Sequence, residues 1–113
     1  MRRTLLVAAV LVLLGTTGCF PGLAMVKHPQ AFNSRIWKSV GMDQRRCDMV
    51  DDLHTRVGVV GRTRSELIAL LGEPEADGQG GDHYHLCLSL ADVWILEVDW
   101  KDGRVASTSI RDT

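Results

Sequence analysis

No apolar run in this chain of 113 residues is long enough to cross a membrane as a helix. The longest, Leu5 to Leu14, has ten residues, whereas a bilayer core of about 30 Å needs roughly 20. Positive charge is not in excess either, since 13 Lys and Arg stand against 14 Asp and Glu. The basic residues are scattered among acids, so the chain lacks the basic patch that phosphate backbones need, and nucleic acid is not an expected partner. It also lacks a glycine-rich oxyanion loop beside its cysteines. That argues against a thiol hydrolase built on Cys87 with His54 or His85, because a nucleophile needs a base and an orienting group around it. No enzymatic activity, cofactor or small-molecule substrate is expected.

What the first residues do contain is arranged for export. Arg2 and Arg3 form a charged start, the ten apolar residues follow, and Gly15-Thr16-Thr17-Gly18 places small residues directly before Cys19. This resembles a bacterial lipobox. It predicts a signal peptide over residues 1–18, lipidation of Cys19 and attachment to a membrane through the lipid. A cut after the small-x-small pattern Gly22-Leu23-Ala24 is the alternative, and it would release a soluble protein beginning at Met25. Cleavage before Cys19 removes Arg2 and Arg3 and leaves 11 basic against 14 acidic residues, a formal charge of −3. The remaining 95 residues suffice for one small domain of limited stability. With Cys19 acylated, Cys47 and Cys87 remain as an even pair in an oxidising compartment. A bridge between them would contribute roughly 2 to 4 kcal/mol; two separate buried thiols are the other possibility.

Residues 19–34, with Pro21, Gly22, Pro29, Asn33 and Ser34, show no sustained period and read as a tether; the folded domain is expected over 35–113. From Asp43 to Val57, Met49, Val50, Leu53 and Val57 recur at helical spacing, with Asp43 as N-cap and Gly58 as the stop. Thr63-Arg64-Ser65-Glu66 is a capping box opening a second helix, which carries Leu67, Ile68, Leu70 and Leu71 and ends at Gly72 and Pro74. Residues 75–82 read as a glycine-rich connection. Residues 83–88 and 93–100 then alternate, and Lys101-Asp102-Gly103-Arg104 signals a tight hairpin into a strand over 105–110. The expected fold is α+β: two helices packed on a three-stranded antiparallel meander, α-α-β-β-β, as a two-layer sandwich.

Several of these segments together resemble a known family. Arg46, Met49-Val50-Asp51-Asp52-Leu53, the stretch from Gly61 through Thr63 and Glu66-Leu67 to Leu70-Leu71-Gly72-Glu73-Pro74, Tyr84-His85-Leu86, Leu96-Glu97-Val98-Asp99 and Asp102-Gly103-Arg104-Val105 are similar to the BamE-like (SmpA/OmlA) outer-membrane lipoproteins. The similarity covers about residues 35 to 111. It implies a protein-interaction or scaffold module without a catalytic centre, in the outer membrane and facing the periplasm, with an envelope protein as partner and a role in outer-membrane protein assembly or envelope integrity. The same helix and stop also resemble the repeats of β-lactamase inhibitor protein. The alternative is therefore a soluble exported binding or inhibitor module.

Strand alternation sets Tyr84, Leu86 and Leu88 against His83, His85 and Cys87, and Trp94, Leu96, Val98 and Trp100 against Val93, Ile95, Glu97 and Asp99. The tryptophan row is expected in the core, as is Trp37. The face bearing His85, Ile95, Glu97 and Thr108 is expected to be the outer one and to bind the partner. His83, His85 and Cys87 in a row have the chemistry of zinc ligands, with His28 or His54 as a fourth. They read instead as ordinary decoration of a strand, so no metal is expected. Asp48, Asp51 and Asp52 read as a solvated helix face rather than a general acid/base pair; the resemblance implies that the Asp51-Asp52 pair accepts backbone bonds in a structural role.

Overall fold

The computed structural model describes residues 25–76 and 81–113. Asn33 accepts the Ile36 amide at 3.0 Å and starts a seven-residue helix, α1 (Ser34–Val40). Asp43 accepts the Arg45 amide at 2.9 Å and starts α2 (Gln44–Asp52), which runs directly into a π-type turn, Leu53–Val57. Gly58, at φ 87°, closes that turn through a 2.7 Å bond from its amide to the Leu53 carbonyl. The Thr63–Glu66 capping box is formed in both directions and opens α3 (Arg64–Leu71), with Gly72 after it. Such a cap is worth about 1 kcal/mol, a useful amount for an eight-residue helix that is marginal alone.

Four antiparallel strands follow in the spatial order β1 (Glu75–Ala76), β2 (Asp82–Leu88), β3 (Val93–Lys101) and β4 (Arg104–Asp112). Asp102 and Gly103, at φ 54° and 77°, make the tight turn of the last hairpin, as the Asp-Gly pair predicts. The helices lie on one face of the sheet. Trp37, Cys47, Met49, Leu53, Leu67 and Leu71 from the helical layer meet Tyr84, Leu86, Leu96, Val98 and Val105 from the strands in one cluster. Trp94 and Trp100 pack against it as expected.

The molecule is thus α+β with helices on an antiparallel sheet, but it departs from α-α-β-β-β at two places. Helix α1 comes before the two expected helices. It buries Trp37 alone, and one apolar contact in seven residues gives no period to read. Strand β1 adds a fourth strand by pairing Glu75 with His83 and Ala76 with Asp82; two residues are too few to alternate.

The expected tether is also different where it is described. Residues 25–33 are strapped along α2: the Lys27 and His28 amides donate to Asp48 Oδ1 at 2.9 and 3.2 Å, the Gln30 amide to the Asp48 carbonyl at 3.0 Å, and the Phe32 amide to Asp52 Oδ2 at 2.7 Å. Met25 is buried, and its carbonyl accepts from Gln44 Nε2 at 2.9 Å. Two aspartates on successive turns of α2 do for this segment what a neighbouring strand would do, satisfying backbone donors that burial would otherwise leave unpaired. Asp48 is therefore not solvated. Burial alone would raise its pKa, but the Lys27 and His28 amides and the Gln44 side chain outweigh that and hold it below the ordinary value of 3.8. The Arg56 guanidinium, with the Phe32 amide, lowers Asp52 likewise.

Candidate interaction face

Two β-bulges decide which residues reach the sheet face away from the helices. In β2, His85 pairs with Ile95 and Leu88 with Val93, so Leu86 and Cys87 together oppose Trp94. The extra residue breaks alternation. Leu86 and Cys87 are both buried toward the helices, while Leu88 turns to the open face beside its partner Val93. The bulge is pinned from both ends. Leu86 accepts the Asp43 amide at 2.9 Å, and Arg46 Nη1 donates to the His85 carbonyl at 2.8 Å. Arg46 itself is buried, with its guanidinium 4.8 Å from the Trp37 ring centroid and its Nε bonded to the Trp37 carbonyl at 3.0 Å.

Cys87, so turned, is bonded to Cys47, with the two Cα atoms 5.9 Å apart. The sulfur is then no nucleophile and no metal ligand. This removes both the thiol-hydrolase arrangement and the His83-His85-Cys87 row. His54, the other base considered, lies between the Val50 carbonyl and Thr108 Oγ1, each at 3.0 Å.

The second bulge corrects one member of the expected partner-binding face. Trp100 pairs with Val105 but Asp99 pairs with Ser107, leaving Ala106 extra. Counting straight back from the Asp102-Gly103 turn would set Thr108 opposite Glu97. The bulge shifts the register by one, so Thr108 pairs with Val98 on the helix side and bonds to His54, and Ser109 takes the place beside Glu97.

By register the face away from the helices carries His85, Ile95 and Glu97 together with Glu75, His83, Leu88, Val93, Asp99, Ser107, Ser109 and Arg111. Its chemistry is divided. At one end Leu88, Val93 and Ile95 adjoin; Leu88 is 68 % exposed, and Leu90 in the following hairpin tip is fully exposed. Ile95 is only 2 % exposed, lying between His85 and Arg111, yet it stands outside the contiguous core cluster. Across the middle, Arg111 Nε pairs with Glu97 Oε1 at 2.9 Å and Ser109 donates to the same oxygen at 3.4 Å. At the β1 edge, His85 Nδ1 lies 2.9 Å from Glu75 Oε2 and the His83 and His85 rings are 5.3 Å apart. One ligating atom from each of Glu75, His83 and His85 falls within 4.8 Å of the others. Glu75 was not legible as part of this group, because only the pairing of the two-residue β1 brings it there.

Cys19, the expected lipidation site, and the signal peptide expected over residues 1–18 lie outside the described residues. Among the described residues no helix is long and apolar enough to cross a membrane. No protein-family model matches the chain, and neither a curated protein nor a solved structure matches it.

Proposed function

We propose that this protein is a small BamE-like lipoprotein of the outer membrane, anchored through Cys19, that serves as an interaction or scaffold module for an envelope protein bound on the open sheet face. The observation that carries this reading is the apolar corner where exposed Leu88 and half-buried Val93 adjoin the buried Ile95, on a sheet face that none of the described helices covers, rimmed by His85, Glu97 and Arg111. Exposed apolar groups gathered inside a polar rim are the usual mark of a docking surface. The Cys47–Cys87 bond supports an exported protein, since such bonds persist in oxidising compartments.

Two measurements test it. Membrane fractionation of wild type and Cys19→Ser should place the wild type with membranes through a salt wash and release the variant or leave it unprocessed. Identical fractionation and identical mature mass would instead favour the soluble exported module. A photo-crosslinking residue at Leu88 should capture an envelope protein in cells, and one at Thr55 on the helical layer should not. Leu88 is exposed, so Leu88→Asp should unfold at the wild-type urea midpoint while reducing capture by a crosslinker at Glu97. Undiminished capture would refute the face.

A further inference from the structure

We infer that Glu75, His83 and His85 form a binding site for a zinc-class divalent cation at the β1–β2 edge of the open face. His83 and His85 stand two apart on β2, the spacing that puts both side chains on one face of a strand. Glu75 is the cross-strand partner of His83 and already touches His85 Nδ1 at 2.9 Å. In a tetrahedral zinc site, bonds of about 2.1 Å set neighbouring ligand atoms about 3.4 Å apart. The Glu75–His85 separation is inside that distance, and the widest separation in the group, 4.8 Å, is closed by side-chain rotation of partly exposed groups. The backbone beneath them need not move. The His85 carbonyl is held by buried Arg46, and both histidines are paired to β3 through Glu97 and Ile95.

The donor set selects the metal. Two imidazoles and one carboxylate suit zinc and its neighbours Cu²⁺ and Co²⁺, whereas Ca²⁺ and Mg²⁺ require oxygen cages. Three protein ligands leave the fourth position to water or to a group from a docked molecule. Bound there, the cation joins β1 to β2 and adds positive charge at the edge of the face.

The test is calorimetric titration of Zn²⁺ into the full chain, produced without a histidine tag, at pH 7.5. One equivalent should bind, and excess Mg²⁺ or Ca²⁺ should not displace it. His83→Ala and His85→Ala should each weaken binding at least about tenfold, as should the isosteric Glu75→Gln; loss of groups merely behind a ligand already costs that much. His28→Ala should leave the isotherm unchanged. Co²⁺ in place of zinc should give visible absorption that His83→Ala removes. Urea midpoints of the variants should equal that of the wild type, which keeps a binding loss from being a folding loss. Absence of a saturable equivalent, wild-type affinity in His83→Ala, or loss of the equivalent in His28→Ala would each overturn the site.

Discussion

The two faces of the sheet are built from the same strands and hold opposite chemistry. On the covered face Tyr84, Leu86, Leu96, Val98 and Val105 are all buried against helices that the disulfide ties down. On the open face the neighbours of those residues are His83, His85, Glu97 and Arg111, joined in pairs at the surface, and Ile95 alone is buried. The covered face is where the free energy of folding resides. The pairs on the open face lie at the surface, where each contributes little to stability. Tyr84 illustrates the first half: burial drives its pKa well above the ordinary value, and its hydroxyl donates to the Gly72 carbonyl at 2.8 Å, so it acts as a packing and capping group and not an acid.

The sharpest way to break this contrast is a pair of adjacent truncations. Leu96→Ala removes a fully buried side chain and should cost about 2 to 5 kcal/mol. Glu97→Ala, one residue along, removes an exposed pair with Arg111 and should cost no more than about 1 kcal/mol. Similar urea midpoints for the two variants would mean that the faces are not energetically distinct. A second test acts on the layer itself. Replacing both Cys47 and Cys87 by Ser should lower stability by about 2 to 4 kcal/mol, read from the same unfolding curves. The loss should leave the open face's ability to crosslink intact in the fraction that stays folded.

The smallest effect is in acid and concerns the strap over α2. Asp48, Asp52 and Asp82 all have lowered pKa values, Asp82 through Arg64 at 2.7 Å and then the Trp100 indole at 2.8 Å. A carboxylate whose folded pKa is depressed contributes stability that is complete above the unfolded value near 3.8 and is lost as pH falls through the folded value. Asp48→Asn should therefore be less stable than wild type at pH 7, and the gap should close below about pH 4. A gap that stays constant in urea titrations down to pH 2 would show that the strap bonds do not depend on charge.

Local signals gave α2, α3 and the last hairpin turn, and they ran out at α1, at β1 and at the bulges. Asp43, Thr63, Glu66, Gly72 and Asp102-Gly103 act within four residues of themselves, so their roles could be read from spacing. Leu88 and Thr108 could not be placed, because each lies beyond a bulge that reverses the row. The first bulge is tied to Asp43, Arg46 and Cys47, some 40 positions earlier in the chain. Pairing partners that distant leave no mark in alternation. The same holds for Asp48: its burial depends on a strap of residues 25–33 with no period of its own.

The strap has a mechanical consequence. A pull on the chain from before Met25 is delivered first to Gln44 and Asp48, both on α2. Cys47 lies between them and is covalently joined to Cys87 in β2. The strap bonds to Gln44 and Asp48 thus stand in series before the covalent Cys47–Cys87 link to β2, and they give way before load reaches the sheet. Loaded from that end, the domain sheds its strap while its sheet, and with it the open face, stays in register.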